Sequence, residues 1–277
     1  MALLSNRIAC ACLLLFLSNS VAAQEAPSNA REYHNKEQFK KFGKRADLVA
    51  AWQIQNLKFG AVVVRFQNNR RKIDAYRKSG QEKKALEVIA ETDFYTKLMM
   101  KAYAKEFTFC KVYFMFAQSS DSLLKGVRKG IFIDTTLKAN EAIVMNESFY
   151  ILAEKDHVYN STIGFVKEDT ARYISEGGNK TVDAAVVLKN KYGHQLKPPF
   201  PYYVKKSFVK SSSQYEQTVS VETSPGIYEK VSFYISKDVT PEKQGTYLNQ
   251  LSNALQHLYQ GSQGVQVNDP TVQPFLY

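Results

Sequence analysis

Apolar positions along the chain fall into runs whose spacing switches between helical and extended periods. Residues 47–57 predict a short helix, with Leu48, Ala51, Trp52 and Gln55 on one face. Gly60 breaks it, and the β-branched run 61–66 predicts a buried strand. Residues 68–78 read as a basic helix, punctuated by Ser79 and Gly80. The clearest helix follows at 81–105, where Ala85, Val88, Ile89, Thr92, Tyr95, Met99, Ala102 and Tyr103 recur at spacings of three and four. The next run, 108–116, is almost wholly apolar and predicts a strand covered on both faces, as in sheets flanked by helices. Ser119 and Ser120 can cap a short helix that reaches Lys125 and ends at Gly126. Further strands are predicted at 131–133, 142–145 and 149–153.

The second half has a different texture. A helix is predicted at 168–173, a loop at 175–180, and a strand at 184–189 that turns at 190–193. Pro198, Pro199 and Pro201 stop regular structure. After a polar connector at 211–214, residues 218–223 and 227–235 alternate as a hairpin, and Ser224, Pro225 and Gly226 suit its tight turn. Thr240 caps a closing helix with Pro241 at its first position, and Glu242 lies beside the positive end of its dipole. Tyr247, Leu248, Leu251, Ala254, Leu255 and Leu258 form the buried stripe, and Gly261 ends the helix. The fold class is α/β, a mixed sheet with covering helices, plus a hairpin-rich second half and a closing C-terminal helix. The long helix packs on strands 61–66 and 109–116. One body is expected, with an α/β portion at 32–181, a hairpin-plus-helix portion at 182–261 packed on it, and an extended tail at 262–277.

The N-terminus reads as an address. Arg7 ends a short basic region, an apolar run follows, and Val21, Ala22 and Ala23 fit a signal-peptidase site. The run of about ten apolar residues is too short for ~30 Å of hydrocarbon. Cleavage after Ala23 removes residues 1–23 with Cys10 and Cys12, exposes Gln24 and a flexible lead-in at 24–31, and leaves Cys110 as the sole cysteine. An intramolecular disulfide is then excluded, and the fold must rest on its core. The mature chain is expected to be soluble, without a transmembrane segment, in a periplasm or outside the cell. Asn-x-Ser/Thr sequons stand at Asn146, Asn160 and Asn179; the lone mature cysteine favours a bacterial source over a glycosylated one.

The composition is globular, with 44% hydrophobic and 23% charged residues in 277. Several chemistries are missing from the sequence. There is no CxxC, GxSxG, HExxH, Walker loop or GxGxxG. Residues 177–181 (Gly-Gly-Asn-Lys-Thr) have the wrong glycine spacing for a phosphate loop. Cys110 lies in the most apolar strand, where a thiol is inert. The histidines at 34, 157, 194 and 257 are too scattered for a metal site, so no metal and no cofactor is expected. A carboxylate pair for hydrolysis would have to come from distant residues such as Glu141, Glu147, Glu154 and Asp156 near strand ends.

Charge changes the picture more. The net charge is +11, and no acidic residue occurs between Ala184 and Tyr215. That stretch holds Lys189, Lys191, Lys197, Lys205, Lys206 and Lys210, interleaved with Tyr192, Phe200, Tyr202, Tyr203 and Phe208. Cations bind anionic groups and aromatic faces stack on rings, so Lys205, Lys206, Lys210, Tyr202 and Tyr203 are the candidate ligand contacts. A second basic run comprises Arg65, Arg70, Arg71, Lys72, Arg77, Lys78, Lys83 and Lys84, with Asp74 and Glu82 set against it. The leading expectation is a non-enzymatic binding or envelope accessory protein. Its ligand would be a lipopolysaccharide head group, an acidic glycan or an anionic membrane surface; an exported chain rarely meets nucleic acid. The alternatives are a hydrolase with a non-local carboxylate pair, and a structural partner in an envelope assembly docking through 274–277.

Residues 107–116 (Phe-Thr-Phe-Cys-Lys-Val-Tyr-Phe-Met-Phe) within 97–117, and 197–204 (Lys-Pro-Pro-Phe-Pro-Tyr-Tyr-Val), resemble uncharacterised secreted proteins of the Bacteroidetes. The resemblance spans about half of the mature chain. It implies a compartment and a lineage, and brings no activity and no catalytic residues.

Overall fold

A computed structural model describes residues 45–157, 184–204, 214–237 and 239–265. Helix α1 (Ala46–Lys58) leads into strand β1 (Ala61–Phe66), followed by α2 (Arg70–Lys78), α3 (Glu82–Glu106) and β2 (Lys111–Phe116). A 3-10 turn (Ala117–Ser119) and the short α4 (Ser120–Leu124) open a long irregular segment that ends at β3 (Tyr150–His157). Then come β4 (Ala184–Lys189), β5 (Tyr203–Val204), the hairpin strands β6 (Gln214–Ser224) and β7 (Ile227–Ser236), and α5 (Pro241–Ser262).

The main sheet has the order β2-β1-β3-β4-β5. β1 pairs in parallel with β2 and with β3, whereas β3–β4 and β4–β5 are antiparallel. Helices α2 and α3 supply the crossover that a parallel β1–β2 pair requires. The fold is α/β, as the periodicities predict.

Strand alternation divides the core. One face of the sheet, with Val62, Val64, Ile151, Ala153 and Leu188, packs against Ile54 and Leu57 of α1, Met99 and Tyr103 of α3, and Leu248, Leu251 and Leu255 of α5. The other face, with Ala61, Val63, Tyr150 and Leu152, is sealed by Leu123 of the short α4 and by Phe132 and Met145 of the irregular segment. Long helices therefore cover one face, and α4 with loop chain the other. The β6–β7 hairpin lies against α3, with Phe94 and Phe233 edge to face at 5.7 Å.

Several elements depart from expectation. Residues 131–133 and 142–145 form no strands; they make only the isolated bridges Lys129↔Val144 and Ile133↔Ala139. Asp134 explains why: its carboxylate accepts from Thr136 N and Oγ1 and from Asn140 Nδ2, curling the chain so that Phe132, Ile133 and Met145 enter the core singly. β2 is an edge strand in which only Met115 is fully buried, so its apolar run reflects aromatic packing rather than double coverage. In α1 the buried residues are Val49, Ala50, Ala51, Gln53, Ile54 and Leu57, while Leu48, Trp52 and Gln55 are half-buried, because α1 is wedged between sheet and α5. Ser119 makes no capping bond; the Ser120 hydroxyl donates to Ala117 O instead. Thr240 does cap α5, accepting from Lys243 N at 3.3 Å. That helix runs past Gly261 to Ser262, and Ala254 is exposed. The extension is held by Gln55 Nε2, which donates to the terminal Ser262 carbonyl at 2.7 Å.

The signal segment, the lead-in, the predicted helix 168–173 and loop 175–180, and the stretch 274–277 lie outside the described residues. Among the described residues no helix is long and apolar enough to cross a membrane.

Gly60 sits where α1 hands over to β1. A Cβ there would lie 2.5 Å from the Phe149 carbonyl oxygen and 3.0 Å from that of Asn56. Both are backbone atoms and cannot swing away. Gly60→Ala is expected to destabilise the chain by ~1–3 kcal/mol in urea unfolding. A change below ~0.5 kcal/mol would mean that the α1–β1 junction relaxes freely.

Candidate ligand-binding cleft

Because β1, β2 and β3 run parallel, their C-terminal ends share one edge of the sheet, where open α/β sheets form their crevices. The chain leaves β1 through Gln67 and Asn69, turns back at Asn69 in a left-handed conformation (φ 51°), and enters α2. Between this turn, α3 and the end of β3 lies a cleft of about 370 Å3. Its exposed members are Gln67, Asn69, Lys72, Glu91 and Lys155; its buried members include Val64, Val88, Thr96, Met99, Tyr103 and Val186. Phe66 and Tyr95 stand half-buried between the two sets.

The walls are pre-organised. Asn69 Nδ2 donates to Thr92 Oγ1 at 2.8 Å, and the Thr92 hydroxyl donates to Val88 O at 2.7 Å. Thr96 Oγ1 donates to Thr92 O at 2.8 Å. Lys155 Nζ sits 5.0 Å from the centre of the Tyr95 ring, a cation–π contact. Lys155 is exposed as a residue, yet desolvation of its ammonium lowers its pKa against the opposing pull of Glu91. Burial, assisted by Glu91, pushes the Tyr95 phenol up to about 12.

Tyr103 is the unusual member of the wall. It is 1% exposed, its ring is held by Phe107 (5.8 Å) and Phe114 (6.1 Å), and its hydroxyl has no partner among the described residues. Burial holds that phenol well above its ordinary pKa, so it stays a neutral donor. An unpaired buried hydroxyl costs ~1–3 kcal/mol.

At the sheet edge of the cleft, which Arg65 and Glu154 also line, four charges neutralise one another. Arg65 Nε donates to Glu154 Oε2 at 2.6 Å, and Glu154 and Asp156 both pair with Lys189. Arg65 also reaches Ser120 Oγ at 3.3 Å. Glu154 is 5% exposed and Lys189 8%. These groups are spent on each other, and the mouth of the cleft presents Lys72 and Lys155 against Glu91.

The described part of the basic-aromatic run, up to Val204, does not form one face. Lys189 is internal, Phe200 is buried in the main core, and Lys191 lies over the Tyr192 ring at 5.0 Å. The Tyr202 and Tyr203 rings lie tilted against each other at 4.8 Å; Tyr202 packs against the core and Tyr203 is exposed. Lys205, Lys206 and Lys210 lie outside the described residues. Two antiparallel steps return β5 to the direction of β3, and the register row Lys155↔Val186↔Val204 places Val204, which precedes Lys205, at the cleft's edge of the sheet. In the other basic run Arg70 pairs with Asp74 at 3.8 Å and Arg77 with Glu82 at 3.3 Å. Only Lys72, with the internally paired Arg65, contributes to the cleft.

The four candidate carboxylates are each ion-paired with a cation. Glu141 pairs with Lys129 at 3.7 Å, and Glu154 and Asp156 are held as above. Burial alone would raise Glu147, but hydrogen bonds from Lys111 (2.6 Å) and the Tyr113 hydroxyl (2.8 Å) hold it below the ordinary carboxylate value. A second hollow of about 500 Å3, between α3, β6 and the start of α5, offers two lysines (Lys97, Lys101) and two carboxylates (Asp93, Glu242) in balance. No cluster of three metal-ligating side chains occurs among the described residues.

Sequence reasoning missed Lys155, Glu91, Asn69 and the cleft role of Lys72. The available signal was polar: Tyr95, Thr96 and Tyr103 put hydroxyls on the inward side of a helix, and Lys155 stands in the polar run 154–157 that ends a strand begun by apolar residues.

Cys110 is half-buried, and desolvation pushes its thiol up to about 12 from an ordinary value near 9, with Lys58 opposing. The unfolded chain therefore releases this proton first. Stability should fall as pH rises above 9, by ~1 kcal/mol per pH unit between about 9.5 and 11. Cys110→Ala is expected to lessen that decline in urea midpoints, because the contributions of Tyr95, Tyr103, Tyr113, Tyr150 and Lys155 are common to both proteins. An equally steep decline in the variant would refute the assignment.

No protein-family model, curated protein or solved structure matches this chain.

Proposed function

We propose that the protein is an exported, non-catalytic binding protein that holds a small anionic molecule with an apolar body in the cleft at the C-terminal edge of the parallel strands. One observation carries the reading: a single cleft joins two mouth cations, Lys72 and Lys155, to apolar and aromatic walls from Val64, Phe66, Tyr95 and Met99. Such a site takes the charged head at the mouth and the body against the walls. Its size suits a compact molecule or one end of a larger one, such as the head of a lipopolysaccharide or an acidic glycan. Lys205, Lys206 and Lys210 follow Val204 in sequence and stay in the proposal as further cations, with Tyr202 and Tyr203 beside them. Export rests on the signal at 1–23, and the resemblance to secreted Bacteroidetes proteins agrees with it.

Naphthalene-2-sulfonate is a suitable probe, with one permanent anion on a flat apolar body. Calorimetric titration of the chain from Gln24 at 0.15 M salt should show binding, weakened about tenfold by Lys155→Met, the equivalent of one charge-assisted hydrogen bond at ~1.5 kcal/mol. Equal affinity in both proteins would remove the cleft from the account. Loss of all binding at this salt would reduce the charge to generic surface.

A further inference from the structure

The most buried polar group in the cleft wall, the Tyr103 hydroxyl, has no partner among the described residues. Buried hydroxyls are paired in nearly every folded protein, through protein atoms or ordered water. Tyr103 is flanked by Phe107 and Phe114, which offer no polar side-chain atom. Thr96, which lines the same cleft, spends its hydroxyl proton on Thr92 O and makes no bond with Tyr103. A phenylalanine would fill the same space, make the same ring contacts and leave nothing unpaired, so packing gives the hydroxyl no role. Its position does. The mouth cations Lys72 and Lys155 are exposed, whereas Tyr103 is 1% exposed on the wall of the same cleft.

We infer that the cleft selects a two-ended ligand: an anionic group at Lys72 and Lys155, and on the inserted part of its apolar body a hydroxyl or carbonyl oxygen that pairs with the Tyr103 hydroxyl. This deepens the cleft reading and rests on it. Tyr103 is then a specificity-determining residue. The Tyr103 hydroxyl is already shut from solvent in the free protein, so a ligand oxygen that pairs with it gains a hydrogen bond that an analogue lacking the atom cannot make. A purely apolar body fits the same walls but leaves the hydroxyl as it is now. Oxygenated aromatic or aliphatic acids are the class described.

Naphthalene-2-sulfonate and its 5-, 6- and 7-hydroxy derivatives test this, because they share head and body and move one oxygen around the far ring. At least one hydroxylated isomer should bind the wild-type chain about tenfold more tightly than the parent. In Tyr103→Phe that advantage should vanish, while the parent keeps its affinity within about twofold and the melting temperature is unchanged or higher. The inference is overturned if no isomer exceeds the parent on the wild type, or if the advantage survives in Tyr103→Phe. It is also overturned if Tyr103→Phe melts lower, since the hydroxyl would then have a partner inside the protein. Failure of the cleft reading has a separate signature: the parent sulfonate does not bind, or binds without regard to Lys155→Met.

Discussion

Replacing Glu154 by leucine should lower the stability of the fold by ~3–5 kcal/mol, the range for a buried charge stripped of its partner. Glu154 is 5% exposed and stands between two cations, Arg65 and Lys189. Without it, Lys189 keeps Asp156, but Arg65 keeps only the neutral Ser120 hydroxyl. One half-buried positive charge is left uncompensated, in a sheet whose neighbouring positions are Val63 and Leu152. The double variant Arg65→Met with Glu154→Leu should recover most of the loss, because removing both partners of a buried pair is far cheaper than removing one. Urea unfolding of the two proteins measures this. A single variant that loses less than ~1 kcal/mol, or a double variant no better than the single, would show that solvent reaches the network and that it does little for the fold.

Phe132→Ala should cost ~3–5 kcal/mol. Phe132 is fully buried, and its ring lies 5.0 Å from that of Tyr113. It comes from the irregular segment between α4 and β3, and with Leu123 and Met145 it seals the sheet face that no long helix covers. The segment is tied by backbone bonds: Ile133 N donates to Phe114 O at 2.8 Å, Asn140 N to Phe132 O at 2.9 Å and Met145 N to Arg128 O at 3.0 Å. The backbone around the cavity is tied down by these bonds and cannot collapse fully into the space. Phe132→Leu, which keeps most of the volume, should cost far less. Equal losses in the two variants would mean that the aromatic contact with Tyr113, rather than burial, secures the segment.

These two sites show what the sequence could and could not convey. Helix α3 and the strands β1 and β4 declare themselves by period, because each residue's environment repeats along its own element. The segment 131–145 carries apolar triplets as well, yet its geometry is set by the Asp134 turn, and a triplet does not distinguish a strand from three separate anchors. The charge network was legible in part. Arg65 follows Val63 by two positions, Glu154 follows Leu152 and Lys189 follows Val187, so strand alternation places all three on one sheet face. What the sequence lacks is the strand order. Only the pairing β1–β3–β4 shows that these three inward charges meet. Read without it, Arg65 and Lys189 count as surface cations and inflate the apparent basic face. The cleft was hidden for the same reason, since Lys72, Tyr95 and Lys155 come from three elements that meet at one end of the sheet. The tyrosines at 202 and 203 were found by composition, which is blind to the fact that Tyr202 faces the core.

Whether the cleft is a binding site can be read by amide hydrogen exchange of the chain from Gln24, with and without saturating naphthalene-2-sulfonate. The account predicts slowed exchange confined to the β1–α2 turn around Gln67 and Asn69, the α3 segment from Glu91 to Met99, and the end of β3 at Lys155. Slowed exchange centred on the β6–β7 hairpin, or no change in any of these three segments while the probe is bound, would contradict it.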